Sequence, residues 1–259
     1  PFWQTGWFIG LLVLVIAGIV YLIYHFRVRS VRRQARLRSD YEIRLNELEN
    51  SALRTQMNPH FIFNSLNTIN SFINSNERER ANQYISKFSK LIRLILDHSR
   101  EKKITLTNEL EVVNLYVQLE RIRFDNKFAY ELDVADEVET DNIEVPPLII
   151  QPFIENAILH GLLPLASGGV LKIEVSKVEG HLLLAVSDNG IGRKKAKEQK
   201  LPVKSGHKSH GLEITCKRIE LFNNEHHFEG KVAIIHLEDA TGKAAGTKVE
   251  IPLAWEESF

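Results

Sequence analysis

An uncharged run near the start of the chain constrains the architecture more than any other feature. The run from Phe8 to Tyr24 has 17 residues without a charge, close to the roughly 20 apolar residues that a helix needs to cross a bilayer. Tryptophan and tyrosine residues flank it, and such side chains favour the two membrane interfaces. The pattern predicts a transmembrane helix with its flanks over residues 1–26. A buried core helix and a signal peptide are the alternatives.

The charges around this run predict its orientation. Six arginines lie between Arg27 and Arg38, whereas residues 1–26 contain neither lysine nor arginine. A signal peptide carries its positive residues before the apolar run, the reverse of this order. The positive-inside rule therefore predicts a single pass through the inner (cytoplasmic) membrane, with residues 8–24 in lipid and the C-terminal part in the cytoplasm. The single cysteine, Cys216, fits a reducing compartment for that part.

The overall charge and the first residue bear on partners and completeness. Lys+Arg and Asp+Glu both total 33, and anionic lipid of the inner leaflet explains the arginine cluster. Nucleic acid is therefore not an expected partner. Because the chain begins with Pro1 and not with methionine, we expect a fragment of a longer protein whose sensor lies upstream.

The region after the arginines has helical patterning. Imperfect apolar spacing predicts a coiled-coil stalk over residues 27–53, followed by a helical hairpin over residues 54–104 with a polar turn at 74–80. The second hairpin helix has an apolar stripe formed by Tyr84, Ile85, Phe88, Leu91, Ile92, Ile95 and Leu96. Two hairpins can bury such stripes as the four-helix bundle of a homodimer. The alternative is packing against the C-terminal part of the same chain.

Residues 105–259 change to a mixed pattern. Thr107 is predicted as the N-cap of a helix, with an apolar face formed by Val112, Leu115, Tyr116, Leu119 and Ile122. Five strand-like runs follow, with helical segments at about 147–161 and 211–226 between them: "FAYELDV", "VLKIEVSKV", "HLLLAVSD", "KVAIIHL" and "TKVEIPL". This order predicts an α/β sandwich, and the whole chain is then an α+β multi-domain protein.

Four short motifs in this part carry polar side chains. In "QPFIENAILHG" a helix presents Glu155, Asn156 and His160, of which the last two are four residues apart and share a face. An amide oxygen can coordinate Mg²⁺, and an imidazole beside it can meet a phosphate. In "DNGIG", Asp188 ends a strand and two glycines let the backbone approach a flat ligand.

The other two motifs complete the set. In "SHGLEITCKRIELF", Gly211 is predicted to open a helix whose free N–H groups face phosphates. In "AGTKVEI", Thr247 lies on the closing strand. Taken singly, a DxGxG segment is more often a turn, and an "EN" pair is usually a solvated helix face. Together, in this order, they indicate a nucleotide site.

These motifs resemble the GHKL superfamily, and specifically the LytS-type sensor histidine kinases. "ALRTQMNPHFIFNSLNTI" is similar to that family's phosphoacceptor box and "PPLIIQPFIENAILHGL" to its N box. "SDNGIG" and "SHGLEITCKRIELF" resemble its two glycine boxes, so the resemblance covers about residues 45–253. It implies a dimerisation and phosphoacceptor hairpin over residues 54–104 and a Bergerat-type ATP-binding α/β sandwich over residues 105–259.

The resemblance also implies an activity and its residues. It implies ATP with Mg²⁺, autophosphorylation of His60, and transfer of the phosphoryl group to an aspartate of a response regulator. Asp188 would hydrogen-bond the adenine amino group and Asn156 would hold Mg²⁺. The other expected ATP-binding residues are His160, Gly190, Gly192, Gly211, Leu212 and Thr247.

His60 follows a proline in an otherwise apolar helix. Pro59 removes a backbone donor and interrupts the helix in the turn before, which would help the imidazole to project towards a docking ATP domain. Neutral imidazole is nucleophilic near pH 7. Asn64, one turn further on, is either a residue that orients the ring or an ordinary surface amide. A core histidine is the alternative reading of His60.

Two departures from neighbouring families narrow the chemistry. Many histidine kinases have an acidic residue directly after the phosphoacceptor, where this chain has Phe61. ATP-hydrolysing GHKL proteins have a glutamate four residues before the Mg²⁺ asparagine, where this chain has Pro152. Hydrolysis is therefore disfavoured as the main reaction, and Glu155 remains a candidate base for His60. The rival functions are a non-catalytic membrane scaffold that binds ATP and a GHKL ATPase.

Overall fold

The computed structural model describes residues 59–166, 168–192, 208–238, 242 and 244–255, together with Tyr21, His25, Arg27 and Arg29. Residues 1–58 and residues 59–259 form two separate units. Apart from those four residues, which are helical, the predicted membrane helix and stalk lie outside the described residues. Within the described part of the chain, no helix is both long enough and apolar enough to cross a membrane.

A helical hairpin opens the described part of the second unit. Helix α1 spans Pro59–Asn74 and helix α2 spans Arg78–His98. The turn between them is shorter than predicted, and the Glu77 N–H closes it by donating to the Phe72 carbonyl at 2.8 Å. Inside the hairpin, the buried Tyr84 hydroxyl lies 3.2 Å from the Ser65 hydroxyl. The two helices therefore pack on each other through a small polar contact within an apolar interface.

The predicted stripe of α2 divides into two faces. Tyr84, Leu91 and Ile95 are buried inside this chain, whereas Ile85 and Leu96 are exposed. The buried face packs on α1 and on the next helix, so part of the predicted intermolecular surface is covered by the chain itself. The exposed face is what remains available to a second hairpin.

Helix α3 follows a two-residue strand, β1 (Ile104–Thr105), and spans Leu106–Arg123. The prediction of Thr107 as its N-cap is wrong: Thr105 is the N-cap, and its hydroxyl accepts from the Asn108 N–H at 3.3 Å. The Thr107 hydroxyl donates instead to Asp141 Oδ1 at 2.6 Å. Both threonines are suitable N-caps by type, so the choice depends on which one ends the preceding strand.

Helix α3 is largely buried because it lies between the hairpin and the rest of the fold. Beyond the predicted face, it also buries Leu106, Leu110, Val113 and Val117. Such a helix belongs in an interior. On its outer side it runs antiparallel to α2, since Arg80 pairs with Asp125 at 2.7 Å and Lys90 pairs with Glu111 at 2.6 Å. The hairpin thus rests along α3.

A mixed five-stranded sheet forms the second layer. Its strands are β2 (Phe128–Val134), β4 (Gly169–Val178), β5 (His181–Asp188), β6 (Ala233–Glu238) and β7 (Ala244–Leu253), in the order β2-β4-β5-β7-β6. Only β2 and β4 are parallel. A separate short strand, β3 (Glu144–Val145), pairs with β1. The predicted α+β fold with a mixed sheet is confirmed.

Two helices cover the sheet next to α3. Helix α4 spans Gln151–Asn156 and continues as a π-helical turn over Ala157–Leu162, and helix α5 spans Lys208–Glu225. Along β4, alternate residues such as Leu171 and Ile173 are fully buried against this layer, as expected for a strand with one covered face. The polar motifs lie where these helices meet the end of β5.

Candidate nucleotide site

Asn156 ends helix α4, and its side chain has a defined orientation. The Asn156 Nδ2 group donates to the carbonyl oxygen of Pro152, one turn earlier. A carbonyl can only accept, so the amide nitrogen must face it. The amide oxygen Oδ1 therefore lies on the opposite side of the group, turned away from its own helix. Pro152, at the position where a hydrolytic glutamate would stand, serves here to orient the asparagine.

The helix changes its winding directly after Asn156. From Ala157 to Leu162 it is π-helical, and the Leu163 N–H donates to the Ile158 carbonyl five residues earlier at 2.9 Å. The prediction that Asn156 and His160 share a face assumed α-helical spacing throughout. Both residues are half-buried, and His160 lies within the wider turn. Such turns are frequent at functional sites.

The π-helical turn brings Gly161 against the end of β5. A Cβ atom on Gly161 would lie 2.4 Å from Asp188 Oδ1, and a Cβ on Gly190 would lie 2.3 Å from the Gly161 carbonyl. The Ile191 N–H donates to that same carbonyl at 3.1 Å. No side chain larger than hydrogen fits at either glycine. The N-box helix and the first glycine box are thereby joined backbone to backbone.

Asp188 is the buried carboxylate of the site. Its Oδ1 accepts from the Gly190 N–H at 2.9 Å, and the side chain is almost completely buried. Thr247 on β7 is its direct partner across the antiparallel pair, so the two side chains lie on the same face of the sheet. Thr247 is also buried. The structure therefore brings Asp188, Gly190 and Thr247 together, as the motifs predict.

The remaining glycines of the motifs play different parts. Gly192 has φ +69°, and Gly246 has φ +136° with a virtual Cβ only 1.9 Å from the Asp188 carbonyl oxygen. Gly211 has no such constraint among the described residues, since none of their atoms lies within 4 Å of its virtual Cβ. Helix α5 is already helical at Lys208, the first described residue of this segment, so Gly211 lies within the helix and does not open it as predicted. Leu212 is half-buried beside it.

Glu155 faces helix α3. Burial raises the pKa of the Tyr116 hydroxyl well above its ordinary value, and the negative charges of Glu120 and Glu155 raise it further. Burial also raises the pKa of the Glu120 carboxyl, which Arg123 lowers and Glu155 raises. Glu155 therefore lies within electrostatic reach of both α3 residues.

Tyr116 also meets the phosphoacceptor end of the hairpin. The rings of Phe61 and Tyr116 have centroids 5.1 Å apart, and Phe88 adds a third ring at 6.1 Å from Phe61. Phe61 is buried in this aromatic cluster, which is defined by Phe61, Phe88 and Tyr116. Because Phe61 follows His60 directly, the start of α1 and the N-box helix both border on Tyr116.

The hairpin candidates are located as follows. His60 is the second residue of α1, and its side chain lies outside the described parts of the structure. The interruption predicted before Pro59 also lies outside the described residues. Asn64 is half-buried one turn further on, and its carbonyl accepts from the Thr68 hydroxyl at 2.9 Å.

Three residues of this region were not singled out by the sequence. Gly161 and Gly246 are required by contacts with Asp188, which only the folded chain reveals. Glu109 looks like an ordinary first-turn acid of α3, yet it is fully buried. Its two oxygens accept from the Leu148 and Ile150 N–H groups at 2.7 and 3.0 Å. The proline pair before Leu148 is the signal that could have pointed to it, because prolines leave a loop short of donors.

The hairpin and the mixed-sheet domain with its motifs are similar to parts of known histidine kinases. The chain matches the histidine kinase family over residues 48–128. Among relatives, it is 37% identical over 147 residues to the sensor histidine kinase YpdA of Escherichia coli (strain K12), covering 57% of this chain and 25% of that protein. It is 36% identical over 154 residues to the sensor histidine kinase/phosphatase LytS of Staphylococcus aureus (strain MRSA252), covering 59% and 26%.

These matches confirm the resemblance to the LytS-type sensor histidine kinases. A third relative, the sensor histidine kinase YesM of Bacillus subtilis (strain 168), is 31% identical over 170 residues, covering 65% of this chain and 29% of that protein. The chain thus spans between 25% and 29% of the length of these three proteins. Among solved structures, the mycobacterial sensor histidine kinase MprB superposes with a TM-score of 0.40 at 17% identity, covering 60% of this chain and 97% of that one.

Proposed function

We propose that this chain is part of a membrane-bound sensor histidine kinase of a two-component system. ATP phosphorylates His60, and the phosphoryl group then passes to an aspartate of a response regulator. One observation carries the proposal: Tyr116 contacts Phe61, the residue after His60, and interacts with Glu155, the residue before Asn156. The phosphoacceptor segment and the N-box helix thus border on one side chain.

The donor groups of the site fit ATP with Mg²⁺. Asp188 offers a buried carboxylate oxygen to an adenine amino group, with Thr247 beside it. Gly190 and Gly192 shape the pocket by letting the chain pack closely on Gly161 and Ala244. The N–H groups in the first described turn of α5 suit phosphates. Asn156 offers one amide oxygen, a sparse set that suits Mg²⁺, which is usually held by one or two protein groups together with phosphates and water.

Phosphoryl transfer from ATP to His60 requires little covalent participation by other groups of the protein. A nitrogen of the neutral His60 imidazole forms the bond to the γ-phosphorus while the bond from that phosphorus to the bridging oxygen breaks, and ADP leaves. Positioning and charge stabilisation dominate such a transfer. Glu155 is the proposed acceptor of the imidazole proton, because no acidic residue follows His60. Asn64 is proposed to orient the ring.

The proposed location and assembly follow from the sequence and from the open face of the hairpin. The span over residues 8–24 anchors the chain in the inner membrane, with the kinase part in the cytoplasm. The exposed apolar residues of the hairpin are Phe63, Leu66, Ile73, Ile85 and Leu96. Exposed apolar side chains on both hairpin helices suit a protein–protein interface, and a second hairpin turns them into the core of a four-helix bundle. The protein is therefore proposed to be a homodimer.

Replacing Leu66 with aspartate is expected to separate the dimer. Leu66 is 47% exposed in the single chain, so the fold of each hairpin tolerates the change, whereas a carboxylate buried between two hairpins costs several kcal/mol. Asn67→Asp, at the next and also exposed position, is the matched control. Sedimentation in detergent should give the monomer mass for Leu66→Asp and the dimer mass for the control. A dimer in both variants would remove this face from the interface.

Two rivals make different predictions for one labelling experiment. The protein is incubated with γ-labelled ATP and Mg²⁺, and protein-bound label and free phosphate are measured together. The kinase predicts an acid-labile, base-stable label that is lost in His60→Gln and retained in His236→Gln, which changes an exposed histidine of β6. Free phosphate without bound label favours the ATPase. ATP binding without either protein-bound label or free phosphate favours the non-catalytic scaffold.

A further inference from the structure

A buried loop precedes the helix that carries Asn156. Residues 146–150 run between β3 and α4, and every one of them is buried although none is helical or extended. Leu148 has φ +57°, a left-handed conformation that is uncommon for a leucine. Buried loops are rare because their backbone groups lack water as a partner. This loop therefore needs a partner of its own.

Glu109 supplies that partner. Pro146 and Pro147 have no N–H, so the loop has only three backbone donors, on residues 148, 149 and 150. The Leu148 and Ile150 N–H groups donate to the two Glu109 oxygens at 2.7 and 3.0 Å. Two of the three donors thus converge on one fully buried side chain.

Arg218 holds the same loop from the other side. Its Nη2 donates to the Pro147 carbonyl at 2.9 Å, and its positive charge interacts with Glu109. Arg218 lies on α5, the helix of the second glycine box, whereas Glu109 lies on α3, the helix against which the hairpin rests. The loop is therefore fixed from both helices at once. We call Glu109, Arg218 and residues 147–150 the loop clamp.

The clamp determines where Asn156 stands. Ile150 is the N-cap position of α4 and provides no side-chain cap, so the Glu109 carboxylate is the group that fixes the start of this helix. Asn156 lies six residues beyond Ile150, about 9 Å along a helix. Because helix α4 is this short, a displacement of its first residue also displaces Asn156 at its end.

We propose that Glu109 is a positioning residue of the kinase: through the loop clamp, it holds the N-box helix so that the Asn156 oxygen meets the Mg²⁺ of the bound nucleotide. The inference rests on the proposed function for its nucleotide. It also couples the hairpin to the metal site. A movement of α3 under the hairpin displaces the Glu109 carboxylate, and with it the loop and Asn156.

The test compares Glu109→Gln with Glu111→Gln in the whole chain. Glutamine keeps the shape of Glu109 but turns an NH₂ group towards amide donors, so at least one N–H loses its acceptor. Glu111 lies two residues further along α3, partly exposed in a surface ion pair with Lys90. Such pairs contribute little, which makes Glu111→Gln the matched control.

Two readouts separate positioning from general stability. Hydrogen exchange at the residue 148–150 amides should accelerate on the order of tenfold or more in Glu109→Gln and stay unchanged in the control. The Mg²⁺ concentration that half-saturates binding of a fluorescent ATP analogue should rise by a similar factor. Binding of the analogue without Mg²⁺ should change less than about twofold, because the proposed role of Asn156 is to hold Mg²⁺. A general loss of folded protein would instead weaken binding equally with and without Mg²⁺.

Unchanged exchange, or the same Mg²⁺ requirement as in Glu111→Gln, would overturn the inference. If Glu109→Gln does not fold, Arg218→Met decides, since it keeps the carboxylate but removes both the bond to the Pro147 carbonyl and the positive charge near Glu109. In Arg218→Met, smaller increases in the exchange of the residue 148–150 amides and in the Mg²⁺ requirement support the loop clamp. The absence of both increases refutes it. Failure of the proposed function looks different: the exchange result holds while wild-type protein gains no label on His60.

Discussion

Asp188→Asn is expected to weaken ATP binding by about 10- to 150-fold, the equivalent of one lost hydrogen bond to a charged group at about 1.5–3 kcal/mol. The physical reason lies in the orientation that the amide must take. Asp188 Oδ1 accepts from the Gly190 N–H at 2.9 Å, so an asparagine keeps its oxygen there. Its NH₂ group then points to the proposed adenine, where it opposes another amino group.

The measurement is a titration with a fluorescent ATP analogue, with Asp133→Asn as the control. Asp133 is an exposed carboxylate on the edge strand β2 and loses the same charge. The control should bind as the wild type does, and both variants should unfold at nearly the wild-type temperature because asparagine preserves the shape of aspartate. Wild-type affinity in Asp188→Asn would remove this carboxylate from the base-binding role.

Gly190→Ala should have the largest effect on the site and on stability together. The added methyl group would lie 2.3 Å from the Gly161 carbonyl, which is backbone and cannot move away as a side chain would. Overpacking costs about 1–3 kcal/mol, and clashes with backbone exceed that range. We expect a loss of about 3 kcal/mol or more in the free energy of unfolding. Nucleotide binding should be lost as well, since α4 and the end of β5 must separate.

The control for this prediction is a glycine-to-alanine change where space is open. Gly211 is helical, and no atom of the described part of the chain lies within 4 Å of its virtual Cβ, so Gly211→Ala should leave stability unchanged or raise it by up to about 1 kcal/mol. Urea unfolding of both variants measures the difference. Equal stabilities would mean that the backbone contact between Gly161 and Gly190 does not exist in the folded protein.

The strands were predictable because each carries its own short-range signal. The run "FAYELDV" coincides with β2, and "HLLLAVSD" coincides with β5. The starts of helices were less predictable. Lys208, Ser209 and His210 are helical, but they were not predicted to be, because they carry no apolar period that would mark them as helical. The two-residue strands β1 and β3 are too short to carry any period.

The site was predictable in its residues but not in its contacts. The order of the motifs indicated Asp188 and Thr247, and the sheet register brings them side by side. The glycine contacts join residues far apart in sequence, and no local pattern encodes them. Glu109 shows the same limit: an acid in a first helical turn is usually a solvated partner of the helix dipole. Its actual partners lie about 40 residues away.

The central claim is that an ATP γ-phosphate reaches the imidazole of His60, and locating the phosphoryl group tests it most directly. Protein incubated with ATP and Mg²⁺ is digested at alkaline pH, and tandem mass spectrometry locates the added phosphate. The peptide that contains residues 59–64 should carry a phosphohistidine at His60, and Asn156→Ala should not form it. Phosphate on a different residue, or an unmodified His60 in protein that binds Mg²⁺-ATP, would contradict the claim.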